Sequence, residues 1–301
     1  MESLVCSALR CSRLNVDIII CTICEYLDVS CKYFLEAMNI SEKYKYMYTD
    51  YYECNIIPAC VRYLVIQENM PDLIQFKNLL EIRFATGFNK TITTFPDTVR
   101  YIEFETDFNQ PIAHNILPIS LIYLHFGYEF NQPLLPNVLP PNLEHLSFDG
   151  NFNHPLLPNV LPSSLTYLSM SDIFDHPLLP NVLPKSLTHL IFTSSLFNQP
   201  LLPNVLPSSL LQLELGMSYN QPICKNVLPP NLTYLKFGNA FTHKISEDVL
   251  PKNLAYLEFG RNYRYRITRS VIPTSLTHLT LPQSYPWPIN IEKIILKYKQ
   301  I

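Results

Sequence analysis

The eight residues Pro-Leu-Leu-Pro-Asn-Val-Leu-Pro occur four times in this chain, beginning at Pro133, Pro155, Pro177 and Pro200. Three prolines in eight positions exclude an α-helix there, because each removes a backbone donor and restricts the residue before it. The segment must be extended or polyproline-like. Repeating it at a fixed interval means that each copy has to fit against the next. The aromatic that opens each unit sets the interval: Phe108, Phe130, Phe152, Phe174, Phe197, Tyr219, Phe241 and Tyr263 are 22 residues apart, except for one step of 23 after Phe174. Phe88 opens a shortened copy. A period of this size predicts a solenoid, in which a unit buries its apolar face only against its neighbours.

The second half of each unit reads L-x-x-L-x-F. It is LIYLHF from Leu121, LEHLSF from Leu143 and LTYLSM from Leu165, and looser versions start at Val61, Leu79, Val99 and Ile291. Alternation predicts a strand with its fourth and sixth positions in the core and its third and fifth facing out. Twelve such rungs in parallel register, spaced about 4.8 Å apart, would make a ribbon of roughly 50–55 Å. The six glycines all fall within three residues after a strand, where a sharp turn is expected to need positive φ. On the return path Leu and Val are expected to point inward. Two asparagine columns are expected to satisfy loop backbone through their amides: Asn109, Asn131, Asn153, Asn198 and Asn220, and then Asn115, Asn137, Asn159, Asn181, Asn204 and Asn226.

Phe-Asn-x-Pro opening a 22-residue unit, followed by N-V-L-P-x-S-L-x-x-L-x-F, resembles the FNIP repeat, a relative of the leucine-rich repeat. The resemblance runs from about Phe88 to Leu281 and is best over 108–281. It implies a leucine-rich-repeat-like solenoid that binds other proteins. Such repeats are found in amoebal proteins and in large DNA viruses that infect amoebae. The family's Ile is replaced here by Gln, His or another residue, and Phe241-Thr-His-Lys and Tyr263-Arg-Tyr-Arg lack the proline, so their return turns are expected to differ.

Residues 1–55 read as a separate helical domain in front of a solenoid over 56–301. Val16, Ile19, Ile20, Ile23, Cys24 and Leu27 fall on one face of a helix that Asn15 or Asp17 would cap. A second helix is expected over Cys31 to Asn39, and a third after Ser41, carrying Tyr44, Met47, Tyr48 and Tyr51. Leu14 to Tyr48 resembles an F-box, although Asn15 and Val16 stand where that motif usually has a proline. The resemblance implies docking on the Skp-type adaptor of a cullin–RING ubiquitin ligase, through Leu14, Ile18, Ile19, Ile23 and Leu27. The alternative is that these helices only cap the first coil, which would otherwise expose its core.

The outward third position reads Tyr63, Glu81, Tyr101, Tyr123, His145, Tyr167, His189, Gln212, Tyr234, Tyr256, His278 and Lys293. Rings of this kind are common at interfaces, so Tyr101 to His278 are the predicted partner-binding residues, and cross-rung stacking is a compatible structural role. The fifth position varies widely, from Arg83, Glu103 and His125 to Glu214, Lys236 and Glu258, and is the place where specificity would be written.

Other classes find little support. Charged residues make up 16% of the chain and the net charge is −3, without the basic clustering expected of a nucleic-acid binder. No phosphate loop, H-E-x-x-H or G-x-S-x-G motif occurs, so no catalysis and no cofactor are predicted. His154 and His176 share a repeat position one rung apart, but no further ligands accompany them, and polar contacts are expected instead of a metal. Cys21 and Cys24 have zinc-ligand spacing without a second pair, and reduced thiols are expected. The most apolar stretch, Ile18 to Cys24, is too short to span a bilayer. With no secretory signal in view, the expected location is the cytoplasm, or the host cytoplasm for a viral protein.

Overall fold

The computed structural model describes residues 47–49, 62–66, 72–74, 76–192, 195–288 and 295–299. They form one 13-stranded parallel sheet whose strands follow chain order. The strands are β1 (Met47–Thr49), β2 (Tyr63–Ile66), β3 (Glu81–Phe84), β4 (Tyr101–Phe104), β5 (Tyr123–Phe126), β6 (His145–Phe148) and β7 (Tyr167–Met170). Then follow β8 (His189–Phe192), β9 (Gln212–Glu214), β10 (Tyr234–Lys236), β11 (Tyr256–Glu258), β12 (His278–Pro282) and β13 (Ile295–Lys299).

From β2 to β12 the register equates identical repeat positions: Tyr101 lies beside Tyr123, Leu124 beside Leu146, and Phe84 beside Phe104. The expected alternation holds. Fourth-position Leu124, Leu146 and Leu168 and sixth-position Phe104, Phe126 and Phe192 are fully buried, and third positions are half-buried, but the fifth position is less open than expected: Val65, Ser147, Glu258 and Thr280 are buried. At the C-terminal end the predicted frame is out by two residues. β13 pairs Ile295 with His278 and Lys297 with Thr280, so Ile295 takes the outward column in which Lys293 was expected. Lys293 itself lies outside the described residues. At the other end Met47–Thr49 is a strand paired with β2, not part of a third helix. The first two predicted helices lie outside the described residues.

Two columns of rings fill the core. The sixth-position phenylalanine packs on the aromatic that opens the next unit, with centroids 4.0 Å apart for Phe104–Phe108 and 3.9 Å for Phe126–Phe130. The opening aromatics also stack from unit to unit, at 6.0 Å for Phe108–Phe130 and 6.5 Å for Tyr219–Phe241. Tyr285 continues that column beyond Tyr263, at 6.4 Å. Ring spacing therefore widens across the coil: 4.0 Å for Tyr101–Tyr123 outside the sheet, 5.5 Å for Phe104–Phe126 just inside it, and 6.0–6.5 Å at the opening aromatics. Coils that spread with depth make an arc, with the strand ribbon on its concave side.

The first asparagine column is the expected ladder. The backbone N–H of Asn131 donates to Asn109 Oδ1 (2.9 Å), that of Asn153 to Asn131 Oδ1 (3.0 Å), and the series runs unbroken from Asn89 to Thr242, with Asp175 taking one step. The next residue joins in. Gln132 and Gln221 donate to the preceding unit, and His154 and His176 donate through Nε2 to the carbonyls of Asn131 and Asn153. A further ladder stands just before each strand. There Ser164 Oγ donates to the Leu143 carbonyl (2.6 Å) and Ser186 Oγ to that of Leu165 (2.6 Å).

Three expectations need correcting. The second asparagine column is exposed and bonds no loop backbone; Asn115, Asn137, Asn159, Asn181, Asn204 and Asn226 hold φ between 60° and 67°, as does Asp248 at 60°. Asparagine is used there because it tolerates the left-handed region. Among the glycines only Gly87 has positive φ. Gly238 serves another purpose, since a Cβ there would collide with the Gly216 carbonyl of the coil beside it. Finally, only the first leucine of each Leu-Leu pair points inward: Leu134, Leu156, Leu178 and Leu201 are buried, whereas Leu135, Leu157, Leu179 and Leu202 are about half exposed.

These assignments separate the two asparagine columns experimentally. Asn159→Gly should leave the urea midpoint nearly unchanged, whereas Asn159→Ala should cost about 1 kcal/mol through its positive φ. Asn131→Ala should cost about 1 kcal/mol through the lost hydrogen bond. Asn131→Asp, which keeps the acceptor as Asp175 does, should cost less. Equal losses for Asn159→Gly and Asn159→Ala would contradict the conformational role.

Candidate protein-binding ribbon

The concave surface is built from the third and fifth strand positions, which the pleat aims at solvent. Parallel pairing places like positions one strand spacing apart, so flat rings in one column meet face to face. Tyr101 stacks on Tyr123 (4.0 Å, 4° between planes), Tyr123 on His145 (4.3 Å, 19°) and His145 on Tyr167 (4.0 Å, 8°). The stack loosens at His189, 6.0 Å from Tyr167 and tilted by 30°. Gln212 interrupts it, and it resumes at Tyr234–Tyr256 (4.4 Å, 5°) and more loosely at His278 (6.0 Å). The structure thus brings Tyr101, Tyr123, His145, Tyr167 and His189 into one run and Tyr234, Tyr256 and His278 into a second. Leu14, Ile18, Ile19, Ile23 and Leu27 lie outside the described residues.

The fifth column locks the third in place. At one end Arg83 lies between Glu81 (3.3 Å) and Glu103 (3.1 Å), and the Tyr101 hydroxyl donates to Glu103 (3.4 Å). At the other, Lys236 meets Glu214 (2.9 Å), Gln212 Nε2 donates to Glu214 (2.8 Å), and the Tyr256 hydroxyl donates to Glu258 (3.1 Å). Between them the fifth position is small or uncharged: Ser147, Ser169 and Ile191, with His125 held by Ser147 at 2.8 Å and by Asp149 at 3.4 Å. The ribbon is therefore a strip of ring faces between two carboxylate–cation clusters.

Protonation follows from this arrangement. Burial, helped by the neighbouring Tyr123 and Glu103, pushes the Tyr101 hydroxyl up, and burial with Glu214 and Tyr256 does the same for Tyr234. Both remain donors. Burial works against the Lys236 charge, but the Glu214 and Glu258 carboxylates outweigh it and push its ammonium up. Burial, and then the nearby His125 ring, lowers His145 to about 4, so it stays neutral in the stack. Among the described residues no cluster of three or more His, Cys, Asp or Glu is arranged to hold a metal. No helix among them is long and apolar enough to cross a membrane.

Parallel coils, one strand each, with a core of leucine and aromatic columns define a leucine-rich-repeat-type solenoid, a scaffold suited to protein–protein interaction. Residues 88–129, 130–172, 174–218, 219–262 and 241–284 match the FNIP Repeat model, and the chain belongs to the FNIP repeat family. Among solved structures it is similar to CroV588, a circular leucine-rich-repeat protein from a giant virus, with 38% identity and a TM-score of 0.68 over 81% of this chain. It spans 40% of that protein's length. TLR13, in a complex with ssRNA13, is similar in fold alone: 15% identity and a TM-score of 0.57 over 81% of this chain and 41% of that one. No curated protein matches the sequence at a significant level.

The His145 assignment has a measurable consequence. Its folded value of about 4 lies below the ordinary 6.5, so between these pH values the unfolded chain binds more protons. Stability from this group is fully present above pH 6.5 and is lost as pH falls towards 4. NMR titration should find the His145 ring neutral at pH 5, and His145→Gln should flatten the fall in urea midpoint over that window. A His145 that titrates near 6.5 would contradict its place in the stack.

Proposed function

We infer that this protein is an interaction scaffold whose concave ribbon binds a protein partner through Tyr101, Tyr123, His145, Tyr167 and His189, continuing along Gln212, Tyr234, Tyr256 and His278. The observation that carries this is the half-buried ring strip, held rigid by stacking and, at its ends, by the fifth-position contacts. Rigid aromatic faces give contact area at small entropic cost, the pattern of interface anchors. The clusters at Arg83 and Lys236 would select orientation more than strength. The test is affinity capture with the full chain followed by quantitative mass spectrometry. Partners retained by the native ribbon and by Leu157→Ser on the return side should fall at least about tenfold for Tyr123→Ser/Tyr167→Ser. A partner set unchanged by the ribbon variant would contradict the reading.

A second reading adds a ubiquitin-ligase role. What favours it is the F-box resemblance of Leu14 to Tyr48, whose last two residues, Met47 and Tyr48, also belong to β1. In this reading Leu14, Ile18, Ile19, Ile23 and Leu27 dock on a Skp-type adaptor in the cytoplasm and the ribbon holds the substrate. The full chain should then bind the adaptor, and Ile19→Asp/Ile23→Asp should abolish binding while circular dichroism of the sheet is unchanged. A folded full-length chain that does not bind would leave the N-terminal segment as a cap.

A further inference from the structure

The return side of the coil changes character in the last two units. At the position held by Pro133, Pro155, Pro177, Pro200 and Pro222 in earlier units, the chain has Lys244 and then Arg266. The neighbouring column changes from Pro136, Pro158, Pro180 and Pro203 to Lys225, Glu247 and Arg269, and the half-exposed leucine column becomes Cys224, Ser246 and Thr268. Proline is not needed there to prevent a helix, because the coils on one side already fix the path. The substitution brings like charges together on adjacent rungs, an arrangement that costs folding energy and calls for a compensating anion.

Lys225, Lys244, Ser246, Arg266 and Thr268 are among the residues that line an open groove of about 1000 Å³. Lys225, Lys244, Arg264 and Arg266 line it against a single lining carboxylate, Glu247, in a chain whose net charge is −3. Arg264 is held in place, its Nη1 donating to the carbonyls of Arg261 (2.6 Å) and Tyr263 (2.9 Å). Lys225 meets Asp248 at 3.0 Å, but both ends are exposed, and such a pair exchanges readily for another carboxylate. Ser246, Thr268 and Ser270 add hydroxyl donors to the wall. Trp287 closes one side. Its Nε1 donates to the Arg264 carbonyl (2.8 Å), which fixes the indole while 44% of the residue stays exposed, and Tyr265 beside the groove is equally open.

We propose that this groove is a second binding site, separate from the ribbon, that takes an acidic peptide segment: its spaced Asp or Glu side chains meet Lys244, Arg264 and Arg266, and an apolar residue lies against Trp287. The cations supply charge complementarity, and the fixed aromatic supplies an anchor of the kind that carries binding energy. Glu247 favours a peptide over a nucleic acid. A strand with a phosphate at every step would press charge against this carboxylate, whereas a peptide can place an uncharged residue opposite it. The site lies on the return turns, so ribbon substitutions leave it intact.

Trp287 is the one tryptophan in the chain, which makes its emission a direct reporter of the groove. The probe is a capped synthetic peptide of alternating Glu and Ser with a central Leu, titrated into the full-length protein. A saturable change in Trp287 emission is expected. It should weaken at least about tenfold between about 0.05 M and about 0.5 M salt, as contacts between exposed charges do. Lys244→Glu/Arg266→Glu should abolish the response and Lys244→Gln/Arg266→Gln should weaken it, with an unchanged sheet signal by circular dichroism. Tyr123→Ser/Tyr167→Ser should bind like the native chain, which separates this site from the ribbon. The proposal is overturned if emission does not change, if the Gln-for-Glu peptide binds equally well, or if both cation variants bind like the native protein. It is also overturned if oligouridylate of equal charge binds more tightly, which would assign the groove to nucleic acid.

Discussion

Each coil depends on hydrogen bonds to its neighbour at two distant points. On the concave side the parallel strand ladder fixes the spacing, and on the far side the Asn109–Asn131–Asn153 ladder fixes it again with side chains. A coil pinned at both points cannot rotate or slip relative to the next. That is why the ring columns between them stack in register, Phe108 on Phe130 on Phe152, and why their spacing can widen without gaps. The 22-residue period keeps both pinning points and the ring columns in phase, and a coil of another length has to take up the difference in its loops: the shortened coil from Phe88 to Phe108 still brings those rings to 6.2 Å. The single 23-residue step is accommodated just after β8, where Ser195 is buried, accepts from the Phe197 N–H (2.9 Å) and donates to the Phe174 carbonyl.

Much of this was legible in the sequence because period and alternation are strong signals. The strands from Tyr63 to Leu281, the buried fourth and sixth positions and the first asparagine ladder all follow from spacing alone. What escaped depends on backbone geometry that letters do not encode. Asn159 and Asn131 look alike in sequence, yet one is chosen for positive φ and the other for its carbonyl acceptor. Leu134 and Leu135 are the same residue, and only the turn decides which is buried. At the ends the repeat signal weakens. β1 has no L-x-x-L-x-F pattern, and Ile291 offered a false start two residues before the register that β13 adopts. Tyr285 alone could have been found by adding one more period to Tyr263.

The candidate site was legible as a column but not as a surface. The alternation of Tyr and His at the third position pointed to stacking and to contact, and the structure shows how the two combine: Tyr123, His145 and Tyr167 stack closely and remain half-buried. The break at Gln212 was visible as a letter, but its consequence was not, because the amide turns to Glu214 and joins the charged cluster at that end. The basic groove by Trp287 went unnoticed because its cations are spread over 42 residues of sequence, from Lys225 to Arg266, and meet only once the coils stack.

The central claim is that one 22-residue coil is the unit of registry. The most direct measurement is cooperative urea unfolding of two internal deletions. Removing 153–174 joins Phe152 to Asp175 and deletes one whole coil; removing 153–163 deletes half of one. The whole-coil deletion should fold with the native sheet signal and unfold in a single transition, with modest loss of stability, because every ladder re-forms across the join. The half-coil deletion should lose cooperativity, since both pinning points cannot be met together. Comparable behaviour of the two deletions would contradict the account.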